Sequence, residues 1–321
     1  MIIENSAVKT VRSMLARNKL AHSFLLYGER GTGKKTLAKQ IAMKIMCETH
    51  PACGHCKPCR TILSENNPDL IYAQHSGTKN GFQVDEVRRI SADAHIIPTS
   101  NDTKIYIFTD SDNMTIQAQN MLLKLVEEPP DYAYFIFTAS AKDIFLKTML
   151  SRMISLGVEE YTTEECKKIL REKNYSSQQT EEATDCFGGN VGKCIEYFSD
   201  GGKLRETVEI VRNLTDCIAK HDEYEIMRIL AVHENDRIFL QDIFVMLNLV
   251  FRDAIVLKNH FSRLKGCYHS GSEKISREMN MDTCIKIRDF ICEQAQITNL
   301  NVNARLVSAN FPAGIMSIIN N

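Results

Sequence analysis

Short apolar runs separated by amphipathic stretches dominate the first half of the chain. Ser23-Phe24-Leu25-Leu26-Tyr27, Leu70-Ile71-Tyr72-Ala73, Lys104-Ile105-Tyr106-Ile107-Phe108 and Tyr134-Phe135-Ile136-Phe137-Thr138 are such runs. Each is too short for a helix and reads as a buried strand. Met153 to Val158 predicts a fifth. Between them the apolar period changes to that of a helix. Val8, Val11, Leu15 and Leu20 lie near one face of a helix over 5–20. Leu37, Ile41 and Ile45 repeat at i, i+4, i+8. Val84, Val87 and Ile90 do likewise, with Asp85, Glu86, Arg88 and Arg89 outward. Thr115 to Val126 predicts another helix, stopped by Glu127-Glu128-Pro129-Pro130. Strands alternating with helices predict a parallel α/β sheet.

After Tyr161 the pattern predicts helices alone. Thr163 to Lys173, Gln178 to Phe187 and Val191 to Phe198 are short ones, the last two broken by Gly188-Gly189-Asn190. Ser199-Asp200-Gly201-Gly202 reads as a linker. Longer helices follow, including Arg237 to Asn259 with a broad apolar face from Phe239, Ile243, Met246, Leu247, Val250, Phe251 and Ala254. A last helix is expected over 299–320, around Pro312.

Composition changes this picture little. The 321 residues suffice for two or three domains. A net charge of -1 gives no global basic field for nucleic acid. No signal-peptide core and no bilayer-length apolar run is present, so no membrane partner is expected and the cytoplasm is the default.

The chemistry sits in three motifs. Gly28-Glu29-Arg30-Gly31-Thr32-Gly33-Lys34-Lys35-Thr36 is a P-loop in the strand–loop–helix context that such a loop requires. Gly28, Gly31, Gly33, Lys34 and Thr36 are its candidate phosphate-binding residues. Where the motif places a Ser or Thr to hold Mg²⁺, the chain has Lys35, a cation that would repel it. The acidic metal ligand expected after the third strand is also displaced. A strand ending at Phe108 puts Thr109 there and Asp110 one place late; Asp110 and Asp112 read equally well as loop acids or a helix cap. The loop keeps what cradles phosphate and lacks what holds the metal, which leaves ATP binding open. Cys47, Cys53, Cys56 and Cys59 form the second motif. Four thiolates at this spacing suit a closed structural Zn²⁺ shell better than two redox pairs, and His55 between them reads as a turn residue. Seven further cysteines are scattered and read as core or idle thiols. The third is Ser151-Arg152 after the fourth strand.

Together with Asn120-Met121-Leu122-Leu123-Lys124-Leu125-Val126-Glu127-Glu128-Pro129-Pro130, these motifs resemble the bacterial DNA polymerase III clamp-loader subunits of the AAA+ class. The impaired metal positions resemble the delta-prime type more than the gamma/tau ATPase. The resemblance implies an AAA+ sheet domain over 1–160 with a zinc insertion, a small helical lid over 161–202 and an all-α collar over 203–321. It implies a non-hydrolysing, stator-like subunit of a ring with gamma/tau and delta subunits, acting with the sliding clamp and primer-template DNA. Arg152 would be an arginine finger for a neighbouring site, although the family's Cys after the Ser-Arg pair is Met153 here. Ser140 stands near the sensor-1 position, and Lys193 near the sensor-2 arginine. An active gamma/tau-type ATPase and a zinc-containing nucleic-acid-binding module with a relic P-loop are the competing readings. Neutral charge and the lack of an aromatic, basic stripe weigh against the second.

Overall fold

The computed structural model describes residues 6–16, 20–49, 52–75, 81–199, 201–261, 264–300 and 303–320. The expected helix over 5–20 is seen as Ser6–Ala16; Leu20 lies beyond it in non-helical chain, half-buried against the core, and the other positions, like Asp200 of the linker, lie outside the described residues. The chain divides into two compact units, Met1–Glu160 and Tyr161–Asn321.

The first unit runs α1 (Ser6–Ala16), β1 (Ser23–Tyr27), α2 (Lys34–Met46), α3 (Lys57–Leu63), β2 (Leu70–Tyr72), α4 (Val84–Ala94), β3 (Lys104–Phe108), α5 (Ile116–Glu127), β4 (Ala133–Ala139), α6 (Lys147–Leu150) and β5 (Ile154–Gly157). The five strands are parallel in the order β2-β3-β4-β1-β5. Tyr27 pairs with Ala139 on one side and Gly157 on the other, so three strand ends open at one edge. Alternation along each strand builds two cores. Phe24, Leu26, Ile105, Ile107 and Ile136 pack with α1, α2 and α3 residues such as Val11, Leu37, Ile41 and Ile62. Leu25, Tyr106, Phe108, Phe135 and Phe137 pack on the other face with Val87, Ile90, Leu122 and Met149. Stacking of Phe108 on Phe137 and Tyr106 on Phe135 ties β3 to β4.

Buried Asp69 anchors the connection into β3. It accepts the backbone N–H groups of Thr99, Ser100 and Asn101 at 2.6, 2.7 and 2.9 Å. Replacing it by alanine orphans three donors, so Asp69→Ala should lower stability by about 2–4 kcal/mol in urea denaturation. A loss below about 0.5 kcal/mol would show that water takes over the three donors without cost.

The second unit is helical: α7 (Thr163–Glu172), α8 (Ser177–Phe187), α9 (Val191–Tyr197), α10 (Lys203–Ala219), α11 (Glu223–Ala231), α12 (Arg237–Lys258), α13 (His269–Glu278), α14 (Met281–Asn299) and α15 (Ala304–Ile319). Capping boxes start α7 and α8, from Thr162 with Glu165 and from Ser176 with Gln179. Cys166, Leu170, Ala183 and Cys194 form one small apolar cluster. A larger one is built around α12, whose Phe239, Leu240, Ile243, Phe244, Leu247, Val250 and Phe251 are all buried. Pro312 is buried within α15 without ending it. Among the described residues no helix is long and apolar enough to cross a membrane.

Candidate functional site

The P-loop leaves the carboxyl end of β1, where an open parallel sheet presents its binding edge. Gly28 N–H donates to Ala139 O at 3.2 Å, tying the loop to β4. A side chain at Gly28 would not fit: its Cβ would lie 2.3 Å from the Val158 carbonyl oxygen. Gly31 and Gly33 hold φ of 89° and 88°, in the left-handed region that glycine adopts freely. Gly33 is the N-cap of α2, whose first two helical residues are Lys34 and Lys35. The first-turn N–H groups and the helix dipole there favour an anion.

Lys34 is buried and its ammonium donates to the carbonyls of Gly28 and Glu29 at 2.6 and 2.8 Å. Burial lowers its pKa, opposed by the nearby Asp110, Asp112 and Glu29 carboxylates. Lys35 turns the other way. Its Nζ is 2.7 Å from Asp110 Oδ2, an ion pair between the P-loop helix and the loop after β3 in which both side chains are more than half exposed. The strand does end at Phe108, and Asp110 follows in a left-handed conformation with φ 48°. Its N–H donates to the Thr138 hydroxyl at 2.9 Å. Thr109 presents its carbonyl to His75 Nε2 at 2.8 Å. Asp112 accepts the Ser140 N–H at 2.8 Å and the Ser140 hydroxyl. Asp110 is an exposed acid at the N-cap position of the short turn Ser111–Asn113, makes no side-chain cap bond there, and pairs with Lys35. No sequence signal pairs these two residues, which lie far apart in the chain. Thr36 is exposed in the first turn of α2.

The Ser151-Arg152 pair lies between α6 and β5. Arg152 Nη2 donates to Glu127 Oε1 at 2.8 Å, and Nη1 to Thr148 O at 2.9 Å and Ser151 Oγ at 3.3 Å. Glu127, the last residue of α5, holds the guanidinium in a surface position where about a third of it meets solvent. The sequence singled out Arg152 without this partner. Lys193 belongs to the second unit, on α9, where its N–H donates to the Asn190 side chain.

The four cysteines converge. Their Sγ atoms all lie within 4.8 Å of one another, close to the edge of about 3.8 Å that a tetrahedral Zn–S shell requires. Gly54, at φ 77°, turns the chain between Cys53 and Cys56, and α3 carries Cys59 into the core. The Cys53 N–H donates to Cys47 Sγ at 3.3 Å, and the His55 and Cys56 N–H groups donate to Cys53 Sγ at 3.4 and 3.3 Å. The donors from Cys56 and His55 push the Cys53 thiol down to about 6. Burial opposes the Cys47 thiolate, but the Thr49 hydroxyl and N–H together with the Cys53 N–H lower its pKa on balance. Burial pushes Cys59 up to about 12. His55 is exposed and outside the sulfur cluster. The donor set is all sulfur, closed and half-shielded, which fits a structural metal.

Residues 3–162, which hold the P-loop, the cysteine cluster and Arg152 but not Lys193, match the family model described as DNA polymerase III, delta subunit. The chain belongs to the clamp-loader family of AAA+ proteins. Among curated relatives, the DNA polymerase III subunit tau of Bacillus subtilis is 32% identical over 49% of this chain and 28% of its own length. The gamma/tau subunit of Mycoplasma genitalium is 31% identical over 68% of this chain and 38% of its own. The delta' subunit of Bacillus subtilis is 25% identical over 60% of this chain and 59% of its own. The chain thus spans less than two thirds of each of these clamp-loader relatives. They include both kinds of subunit, so the choice between kinds falls to the residues of the site itself.

Proposed function

We propose that this chain is a delta-prime-type, non-hydrolysing subunit of a DNA polymerase III clamp loader. The observation that carries the reading is the Lys35–Asp110 ion pair, in which a cation replaces the hydroxyl that a working P-loop ATPase offers its divalent cation and engages the nearest carboxylate after β3. In the same unit Arg152 stays at the surface, within reach of a neighbour. A chain that lacks its own metal ligands and keeps a donor arginine is suited to serve another subunit's nucleotide. The partners would be gamma/tau and delta subunits, with the sliding clamp and primer-template DNA engaged by the whole assembly.

In this reading residues 161–202 are the lid, with Lys193 near the sensor-2 position, and residues 203–321 the collar. Support for a collar is the set of exposed apolar side chains on α11, α12 and α15, with Tyr224 66%, Ile238 68% and Leu306 58% exposed. The cysteine cluster would hold one structural Zn²⁺ that stiffens the segment between α2 and β2.

The gamma/tau-type reading has an observation of its own, the matches above 30% identity to gamma/tau subunits. Steady-state ATPase of the lone chain separates the two. We expect no turnover above background, with or without DNA; turnover abolished by Lys34→Ala would establish the ATPase reading. The role itself is tested by adding the chain to a clamp-loader ATPase with its clamp and primed DNA. Stimulated ATPase and loading should require it.

A further inference from the structure

The family to which this fold belongs implies a nucleotide bound together with Mg²⁺, and the residues at this P-loop do not fit the metal. Lys35 Nζ sits 2.7 Å from Asp110 Oδ2, in the carboxylate's coordination space. A Mg²⁺ ion needs oxygen ligands at about 2.0–2.1 Å, and Asp110 cannot serve as one while an ammonium sits that close to its carboxylate. Thr109 offers no carboxylate, and its carbonyl is taken by His75. Asp112 is engaged by Ser140.

The remainder of the loop is that of a phosphate cradle. Gly31 and Gly33 keep their left-handed conformations. Lys34, 7% exposed, is held inside the loop by two carbonyls that a phosphate oxygen could replace as its partners. The first turn of the thirteen-residue helix α2 faces the same space.

We propose that Lys35, braced by Asp110, stands in for the divalent cation, and that this P-loop binds a polyphosphate chain without metal. The Lys35 ammonium would supply, beside Lys34, the positive charge that the metal otherwise brings. The ligand class is a nucleoside di- or triphosphate or an inorganic polyphosphate, which share this recognition chemistry. Binding leaves the phosphates unpolarised by metal, so the ligand would be kept, not cleaved. The inference rests on the loop alone and does not require a trans-acting role for Arg152.

The test is calorimetric titration of the full chain with ADP, ATP and inorganic tripolyphosphate, in metal-free buffer and in excess Mg²⁺. No chelator is used, so the cysteine cluster is left alone. The two buffers should give dissociation constants within about twofold of each other. Tripolyphosphate binding as tightly as ATP would mark an inorganic ligand, and a preference for ATP or ADP a nucleotide; either supports the proposal. Lys35→Thr frees Asp110 and supplies a hydroxyl, so Mg²⁺ should then tighten ATP binding by about tenfold or more. A requirement for Mg²⁺ in the unaltered chain, no binding of any of the three ligands, or a Lys35→Thr chain indifferent to Mg²⁺ would each overturn it.

Discussion

Arg152→Ala will leave the chain folded and able to join a ring, while the DNA- and clamp-stimulated ATPase of the assembled complex falls by about 10³-fold. Clamp loading should fall with it. The fold survives because Arg152 contributes only partly exposed surface contacts, to Glu127 and Thr148, and such pairs are worth about 0–1 kcal/mol. In the proposed role the rate falls because a guanidinium placed at a neighbour's phosphates acts on charge that develops in the transition state. The loss should therefore appear in turnover, with ATP affinity nearly unchanged. Arg152→Lys should rescue little, since a point charge lacks the planar fork. Glu127→Gln is an informative companion: it releases the guanidinium from its own unit and should leave the ATPase within about threefold of normal, the range expected for an exposed pair. A complex carrying Arg152→Ala with normal ATPase and loading would return Arg152 to a surface role.

The second large effect concerns the cysteine cluster. The chain purified under reducing conditions should carry one Zn²⁺, and Cys59→Ser should abolish its retention. Cys59 is fully buried on α3, so its loss opens the metal shell from inside. Structural zinc contributes about 10–16 kcal/mol in small zinc modules, so the segment around Cys47–Cys59 should lose protection from hydrogen exchange while the sheet keeps its own. The pH dependence has a definite sign. Zinc binds thiolates, so every ligand still protonated in the metal-free chain must give up a proton. Cys53, with its pKa near 6, is already ionised at neutral pH. Cys59, at about 12, is not. Affinity should therefore rise with pH, with Cys59 alone giving about tenfold per pH unit through neutrality, and Cys53 steepening the fall below its own pKa. Zinc-free protein, or affinity flat from slightly acid to alkaline pH, would sink this assignment.

Much of the fold was legible because its signals are local. The runs at Ser23–Tyr27 and Lys104–Phe108 are strands with those bounds, and β4 extends one residue beyond its run at each end. Buried parallel strands need continuous apolar residues, and these chains of five can satisfy nothing else. Thr115 caps α5 as a stop-and-start reading requires. The helix Lys57–Leu63 was not foreseen, because Cys59 and Ile62 are its only buried apolar side chains besides Pro58, too few to show a period. The site was legible in its parts and not in its pairings. Lys35 with Asp110 and Arg152 with Glu127 are contacts between separate elements, fixed only when β3, α2 and α5 are packed on one sheet. Spacing along a chain holds no record of them.

The close approach of Gly28 to the Val158 carbonyl has a consequence for how such loops decay. In a working nucleotide site the glycine would be credited to the phosphates. Here any larger residue would collide with the backbone just after β5, whether or not a ligand ever binds. A lineage that abandoned catalysis could shed its metal ligands freely, yet would be compelled to keep this glycine by the architecture alone. Survival of this glycine then reports the demands of the scaffold as much as those of any ligand.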